Sequence, residues 1–180
     1  MSKRVLVVSS TLRKGGNSQV LADAFARGAG ESGHEVETID LRGKEIRFCN
    51  GCLACQTTLC CPIEDDAADI LEKMLRADVI AFATPIYFYE MSGQMKTLLD
   101  RTNPLFPSDY AFRDIYLLAA AADTGERAMD GVIKGLEGWI ECFDKTKLAG
   151  VVKGLGVDAL GTVEKIPETV RAANEMGRRA

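Results

Sequence analysis

The chain has 180 residues, 47% of them hydrophobic, and a formal net charge of −4. This length predicts a single domain over residues 1–180, and the scattered charges form no basic stripe of the kind that binds nucleic acid. No apolar run approaches the roughly 18 residues of a membrane span and no apolar signal region precedes the first strand, so we expect a cytoplasmic protein with no membrane partner, whose six cysteines are not structural disulfides.

Residues 4–18 combine a strand, a polar turn and the start of a helix. Val5–Ser9 is an apolar, β-branched run, typical of a parallel strand that helices cover on both faces. The turn carries hydroxyl, amide, glycine and cationic residues, and helix-spaced apolar residues follow from Val20. Because the first N–H groups of a helix are unpaired and its dipole is positive there, the arrangement predicts an anion site. The alternative is an ordinary turn in which Asn17 or Ser18 caps the helix.

The kind of anion can be narrowed by the motifs that the turn lacks. Neither the mononucleotide pattern G-x-x-x-x-G-K-S/T nor the dinucleotide pattern G-x-G-x-x-G is present. A phosphate held by hydroxyls, an amide and Arg13, without a lysine–hydroxyl pair for Mg²⁺, suits a terminal monophosphate such as that of FMN.

Strands and helices alternate along the rest of the chain. The patterns predict further strands over residues 34–40, 77–84, 114–121 and 151–157, and helices over 63–76, from 92, from 123 to about 143 and from 167. We expect Pro85 to end the third strand and Trp139 and Phe143 to lie in the core. Residues 41–62 lack periodicity and predict a long loop, which is rich in cysteine over about 43–62. Loops of this length are usually functional or disordered.

This alternation predicts an α/β fold with a doubly wound, five-stranded parallel sheet and helices on both faces. In the flavodoxin-like strand order 2-1-3-4-5, a ligand lies beyond the carboxyl ends of strands one and three. The polar turn at 9–18 follows strand one and an aromatic turn at 85–91 follows strand three. The topology therefore brings both candidate ligand turns to the same edge of the sheet.

Three consecutive aromatic residues, Tyr87, Phe88 and Tyr89, occupy the turn after strand three. An aromatic run is more often part of a core, but this one follows Pro85 in a predicted surface loop, where exposed rings need a partner. The π-face of a flavin ring suits such an apolar wall.

Five of the six cysteines fall between positions 49 and 61. Cys49, Cys52, Cys55 and Cys61 give the spacing C-x₂-C-x₂-C-x₅-C, with Cys60 as an extra neighbour. Thiolates select zinc, Cu(I) or iron–sulfur centres. Zinc sites usually divide their ligands into two separated pairs, whereas three cysteines at two-residue intervals, with a proline after the last cysteine, are typical of iron–sulfur runs. The alternative is that the thiols only pack or oxidise together.

These segments resemble the NAD(P)H-dependent FMN reductase family. SSTLRKGGNS at 9–18 is similar to its phosphate loop, and PIYF at 85–88 to its second flavin loop. The resemblance implies FMN bound at its phosphate by Ser10, Arg13, Asn17 and Ser18. It also implies contacts to FMN from Ser9 and Gln19, from Pro85, Ile86, Tyr87 and Phe88 along the ring, and from a third loop of Asp123, Thr124 and Gly125. The Lys96, Asp100 and Arg101 set of the following helix would then be structural.

The cysteine run resembles that of the iron–sulfur flavoproteins, a branch of this family. The resemblance implies a [4Fe–4S] cluster on Cys49, Cys52, Cys55 and Cys61, although the doubled Cys60–Cys61 leaves the fourth ligand open, and the Asp65–Asp66 pair matches as well. Family members are typically dimers or tetramers, so we expect a homodimer or homotetramer.

Three functions follow as hypotheses. In the first, FMN and a [4Fe–4S] cluster exchange electrons, and a ferredoxin-like one-electron carrier is the partner. In the second, NAD(P)H reduces FMN directly, as in an FMN or quinone reductase without a cluster. In the third, a flavodoxin-like binding protein senses redox state through its thiols. We expect no catalytic acid or base, because the flavin carries the chemistry.

Overall fold

A computed structural model describes all 180 residues and contains one mixed sheet. Its strands are β1 (Arg4–Ser9), β2 (Glu35–Asp40), β3 (Val79–Tyr87), β4 (Glu90–Met91), β5 (Asp114–Ala120) and β6 (Lys147–Gly154). Five of them are parallel in the order β2-β1-β3-β5-β6, and the two-residue β4 pairs antiparallel with β3 outside that path. Without the short β4, which only pairs with the end of β3, the five parallel strands follow the predicted order 2-1-3-4-5. The predicted fold and strand order are therefore confirmed.

The chain has six α-helices, and all but the four-residue second one cover the two faces of the sheet. They are α1 (Asn17–Glu31), α2 (Cys55–Thr58), α3 (Ala67–Arg76), α4 (Gly93–Arg101), α5 (Asp130–Ile140) and α6 (Pro167–Arg178). Alternate strand residues face opposite cores: Leu6 and Val8 pack with α3, α4 and α5, whereas Val5 and Val7 pack with α1 and α6. Both faces of β1 are therefore apolar. None of these helices has the length and hydropathy needed to cross a membrane.

Several element boundaries differ from the sequence prediction, and α3 begins at Ala67, four residues after the predicted start at 63. The segment after β5 begins with a 3₁₀ turn at Glu126–Met129 before α5, and β6 begins at Lys147, earlier than the predicted 151. The expectation that Pro85 ends the third strand is wrong, because β3 continues to Tyr87. β1 pairs with β3 only as far as Ala83, so the missing N–H of Pro85 removes no hydrogen bond on that side.

Candidate functional site

The ends of β3 and β5 and the loops after β1, β5 and β6 meet at the carboxyl edge of the sheet. They line a cleft of about 200 Å³, formed by Thr11, Arg13, Gly16, Asn17, Ser18, Pro85, Ile86, Tyr87, Ala120, Ala122, Val157 and Asp158. Six of the predicted flavin residues are thus in one lining: Arg13, Asn17, Ser18, Pro85, Ile86 and Tyr87. Ala120, at the end of β5, and Ala122 line the cleft beside them. The other predicted residues are outside this lining: Ser9, Ser10, Gln19, Phe88, Asp123, Thr124 and Gly125.

A larger cleft of about 450 Å³ lies at the opposite edge of the sheet, beside the beginning of β1 and β2 and the end of α3. Its cationic side chains are already paired with carboxylates: Lys73 with Glu37, Arg76 with Glu72 and Arg4 with Asp78. It therefore lacks the free donors that a phosphate ligand needs, and its position is the wrong end of a doubly wound sheet.

The first loop presents unpaired N–H groups to the cleft. Gly16 is the N-cap residue of α1 and makes no side-chain cap, so the alternative with Asn17 or Ser18 as the cap is wrong. The main-chain N–H groups of Asn17, Ser18 and Gln19 have no acceptor within the chain. A Cβ atom at Gly16 would lie 2.7 Å from Thr11 Oγ1, so glycine is needed for this close turn. The helix N-terminus is open to an anion.

Two hydroxyl groups beside this helix end are buried without a partner. They are Ser9 Oγ and Ser18 Oγ, and the carbonyl oxygen of the Gln19 side chain is unpaired as well. A buried polar group without a hydrogen bond costs about 1–3 kcal/mol. A phosphate that accepts from both hydroxyls would remove that cost, so these residues fit the phosphate of FMN.

The side chains of two other predicted phosphate residues are used inside the protein. Asn17 Nδ2 donates to the carbonyls of Val157 (3.0 Å) and Ala159 (2.9 Å), and its Oδ1 accepts from the N–H of Val163 (3.1 Å). Ser10 Oγ donates to Ala83 O and accepts from Ser92 Oγ at 2.8 Å. Both side chains hold the loop in place, and Asn17 offers an anion its main-chain N–H.

Arg13 is the cation of the first loop and lies at its exposed rim. Its guanidinium donates to the main-chain carbonyl of Asp158 at 3.2 Å. That single neutral acceptor leaves most of the five guanidinium N–H donors free for a charged group. The side chain is therefore placed to reach an anion bound at the beginning of α1.

The aromatic turn is a β-hairpin with a strained backbone. Phe88 (φ 52°) and Tyr89 (φ 66°) are both left-handed, in a two-residue turn between β3 and β4 that usually contains asparagine and glycine. Such conformations cost about 1–3 kcal/mol per residue and concentrate at functional sites. The side chain of Phe88 is 100% exposed and that of Tyr87 52%. The strain thus presents aromatic rings to the edge of the cleft.

The third loop is joined to this hairpin through one hydrogen bond. Tyr89 Oη donates to Asp123 Oδ2 at 3.1 Å, and the N–H of Gly125 donates to Asp123 Oδ1 at 2.8 Å. The main-chain hydrogen bond from Gly125, followed by that from Tyr89, lowers the pKa of the Asp123 carboxyl. Asp123 therefore stays ionised and acts on the site by holding the aromatic turn.

The cysteine loop lies between β2 and α3, at the far end of α4 from the cleft. Cys55 is buried, Cys61 is half-buried, and Cys49, Cys52 and Cys60 are exposed. Two donors reach the less exposed sulfurs: Asn103 Nδ2 lies 3.4 Å from Cys55 Sγ, and Arg101 Nη2 lies 3.4 Å from Cys61 Sγ. Burial raises the pKa of the Cys55 thiol, and the neighbouring Cys61 and Cys52 raise it further.

No three His, Cys, Asp or Glu side chains are gathered closely enough to form a metal site, so ligation by all four cysteines stays a prediction. The donor set nevertheless fits a thiolate-ligated centre. Iron–sulfur clusters are held by cysteine thiolates and tuned by hydrogen bonds to their sulfurs, and two such hydrogen bonds are already made.

Sequence reasoning missed the importance of the buried pair Arg101–Asp65. Arg101 was assigned only a structural role, and Asp65 only a match to a family pattern. Arg101 Nη1 lies 2.6 Å from Asp65 Oδ2, and the two side chains are 0% and 1% exposed. Burial alone would raise the pKa of Asp65, but hydrogen bonds from Arg101, Arg47 and Ala67 lower it. The spacing could have indicated this burial: Arg101 follows the core residue Leu98 by three positions, and residues three apart lie on the same face of a helix.

Comparison with known proteins gives a consistent result. The family model described as NADPH-dependent FMN reductase matches residues 3–143. The iron–sulfur flavoprotein MJ1083 of Methanocaldococcus jannaschii is 40% identical over 102 residues, which are 57% of this chain and 53% of that protein. An iron–sulfur flavoprotein of Methanosarcina thermophila is 31% identical over 140 residues, 76% of this chain and 72% of the relative. The match to MJ1083 thus spans only about half the length of that relative.

Among solved structures, the NAD(P)H:quinone oxidoreductase from Methanothermobacter marburgensis superposes with a TM-score of 0.74 at 18% identity, covering 99% of this chain and 98% of that one. At this identity the likeness shows a common fold.

Proposed function

Because this chain belongs to the NADPH-dependent FMN reductase family, in the branch of the iron–sulfur flavoproteins, we propose that it is an FMN-dependent electron-transfer oxidoreductase whose flavin exchanges electrons with a [4Fe–4S] cluster. When bound, FMN supplies the redox chemistry, since a flavin accepts electrons in pairs and can release them singly. NADPH is the electron donor in the family's name, and direct reduction of the flavin by it belongs to the second candidate function below. The chain's own residues bind and orient these groups.

The open end of α1 carries this proposal. Free N–H groups, the unpaired Ser9 and Ser18 hydroxyls and the Arg13 guanidinium all belong to residues 9–19, and they support a phosphate site at this end of the helix. Pro85, Ile86 and Tyr87 form the neighbouring wall of the cleft, which suits the flavin ring. Phosphate at the helix N-terminus and the ring against the aromatic turn would thus use both ends of FMN.

The proposed cluster ligands are Cys49, Cys52, Cys55 and Cys61. The spacing of these cysteines, the hydrogen bonds to Cys55 and Cys61 and the names of the relatives support the assignment. A cluster would let the protein pass single electrons to a ferredoxin-like carrier. The six free cysteines need a reducing compartment, and we place the protein in the cytoplasm on that ground.

Helix α4 connects the two proposed centres. Its N-cap Ser92 donates to Ser10 in the first loop, and its last residue, Arg101, donates to Cys61. These two contact points are about 13 Å apart along the helix axis. One rigid element would therefore set the distance between flavin and cluster.

Iron content and absorption of anaerobically purified protein test the proposal. We expect about four irons per chain and a broad shoulder beside the flavin bands. Serine at any of the four proposed ligands should remove most of the iron, whereas Cys142→Ser should not, and FMN should remain bound in each variant. Reduced protein with bound FMN that takes up no iron during anaerobic reconstitution would exclude the cluster.

A second candidate is an NAD(P)H-dependent FMN or quinone reductase without a cluster. The description of the matching family model, NADPH-dependent FMN reductase, favours this candidate. The electron donor separates the two functions: NADPH alone should bleach the flavin of a simple reductase, whereas the cluster protein should respond to reduced ferredoxin. Redox sensing by the free thiols is the third reading, and it requires oxidation of the loop to change FMN binding.

We also propose that the protein is a homodimer or homotetramer. The exposed rings of Tyr87, Phe88 and Tyr89 form an apolar edge beside the cleft, which a second copy would cover. Light scattering on the wild type and on Phe88→Ser tests this, and a monomeric wild type would refute it.

A further inference from the structure

A fully buried arginine lies beneath the cysteine loop. Arg101 is the largest side chain that the fold buries completely. Besides Asp65, its guanidinium donates to the carbonyls of Arg47 (2.8 Å) and Ile63 (3.1 Å), and to Cys61 Sγ (3.4 Å). One side chain therefore contacts both the segment before Cys49 and the segment around Cys61.

Stability alone does not account for this pair. Removing two charges from water costs several kcal/mol per ion, and apolar residues of similar volume often stabilise such a position equally well. The Nε–H of Arg101 has no acceptor, which adds a further cost. What an apolar pair cannot provide is a cationic donor held rigidly at 3.4 Å from a thiol.

The two adjacent cysteines differ in their relation to this donor. Cys61 is half-buried and accepts from Arg101, whereas Cys60 is exposed and its thiol donates to the carbonyl of Cys61 at 3.8 Å. Asp65, four residues after Cys61, keeps the guanidinium oriented by accepting from both of its Nη groups at 2.6 and 3.1 Å. The sequence offers two candidates for the fourth ligand, and the structure gives a cationic partner to one of them.

We propose that Arg101 is a positioning residue that selects Cys61 over Cys60 as the fourth cluster ligand, through its hydrogen bond to the Cys61 sulfur. The inference rests on the proposed [4Fe–4S] site and adds the residue that decides its ligand set. The hydrogen bond stabilises negative charge on the sulfur, so it also raises the reduction potential of the cluster. Asp65 acts through Arg101.

The test replaces the ion pair as a unit, because removing Arg101 alone would leave a buried, uncompensated carboxylate. The variant is Asp65→Asn/Arg101→Met, and the control is Lys96→Met, on the same helix, where Lys96 forms an exposed pair with Asp100. Cys60→Ser and Cys61→Ser are then made in the wild type and in both backgrounds. Iron content after anaerobic reconstitution, cluster midpoint potential and FMN content are measured for each protein.

In the wild type and in the Lys96→Met control, we expect Cys61→Ser to remove most of the iron and Cys60→Ser to remove none. In the Asp65→Asn/Arg101→Met background, Cys60→Ser and Cys61→Ser should lose similar amounts of iron. The double variant itself should bind iron about 10- to 100-fold more weakly, as is typical when a residue supporting a metal ligand is lost. Its remaining cluster should have a more negative potential, with FMN content unchanged.

The inference is overturned if Cys61 remains the preferred ligand in Asp65→Asn/Arg101→Met, with the potential unshifted. It is likewise overturned if Cys60→Ser removes the iron of the wild type. A wild type that takes up no iron rejects the proposed cluster, and the ligand selection with it. If the wild type takes up its full iron content but Cys61 is not selected through Arg101, this inference alone fails and the proposed cluster stands.

Discussion

The glycine at position 131 should set the position of the aromatic turn. A Cβ atom built on Gly131 would lie 2.3 Å from the carbonyl oxygen of Tyr89, whereas an ordinary carbon–oxygen contact is about 3.3 Å or longer. Gly131→Ala must therefore move the β3–β4 hairpin away from α5 by about 1 Å. Alanine normally stabilises a helix interior by about 1 kcal/mol over glycine, but the overpacking costs about 1–3 kcal/mol.

Gly138→Ala is the matched control, because Gly138 lies in the same helix and nothing approaches its Cβ position within 4 Å. This variant should gain about 0.5–1 kcal/mol in the free energy of unfolding, measured with urea. Gly131→Ala should be about 1–3 kcal/mol less stable than the control. It should also bind FMN roughly two- to tenfold more weakly, because losing one aromatic contact costs about 0.5–1.5 kcal/mol.

The reasoning is refuted if Gly131→Ala matches the control in stability and the wild type in FMN affinity. If Gly131→Ala loses stability but keeps its FMN affinity, the hairpin does move, but the flavin does not lie against it.

Three further predictions concern the phosphate loop and the start of the sheet. Arg13→Ala should weaken FMN binding by about 1.5–3 kcal/mol, most strongly at low salt, and an unchanged fluorescence titration would remove Arg13 from the site. Ser18→Ala should keep the free energy of unfolding of the FMN-free protein within about 0.5 kcal/mol of the wild type, because the Ser18 hydroxyl has no partner. The same variant should bind FMN more weakly. Burial by itself raises the pKa of Asp78, but hydrogen bonds from Arg4 outweigh this and lower it. A carboxyl whose pKa is lowered by folding stabilises the protein at pH values above its unfolded-state pKa of about 3.9. That stabilisation is lost as the pH falls through the folded-state pKa. The stability difference between wild type and Asp78→Asn should therefore shrink below about pH 4 in urea unfolding, and a difference that is constant with pH would contradict it.

Sequence reasoning reached the fold because the relevant signals are local. Each buried strand is a continuous apolar run, and the helices between the strands have clear apolar faces. Parallel strands joined by helices allow few topologies, so the sheet order followed from general rules. The same rules brought the first and second loops to one edge, where Arg13, Ser18 and Tyr87 now line a cleft.

Two side chains have neighbours far along the chain that the sequence analysis did not identify. Asn17 looked like a phosphate ligand, but its amide is used by Val157, Ala159 and Val163, about 140 residues away. Pro85 looked like the end of a strand, but its neighbour β1 had already ended. Neither partner can be identified from the residues next to these positions.

The chemistry available at each loop follows directly from the residue types: hydroxyls and a cation at 9–18, aromatic rings at 87–89, and thiols at 49–61. These properties belong to side chains and do not depend on the fold. Which of these groups are free and which already have partners depends on the folded chain. It left Ser18 unpaired, used Ser10 within the protein, and gave Cys61, but not Cys60, a buried arginine. The reason is that hydrogen-bond satisfaction is a property of three-dimensional neighbours, and those neighbours are separated here by up to about 150 positions in the chain.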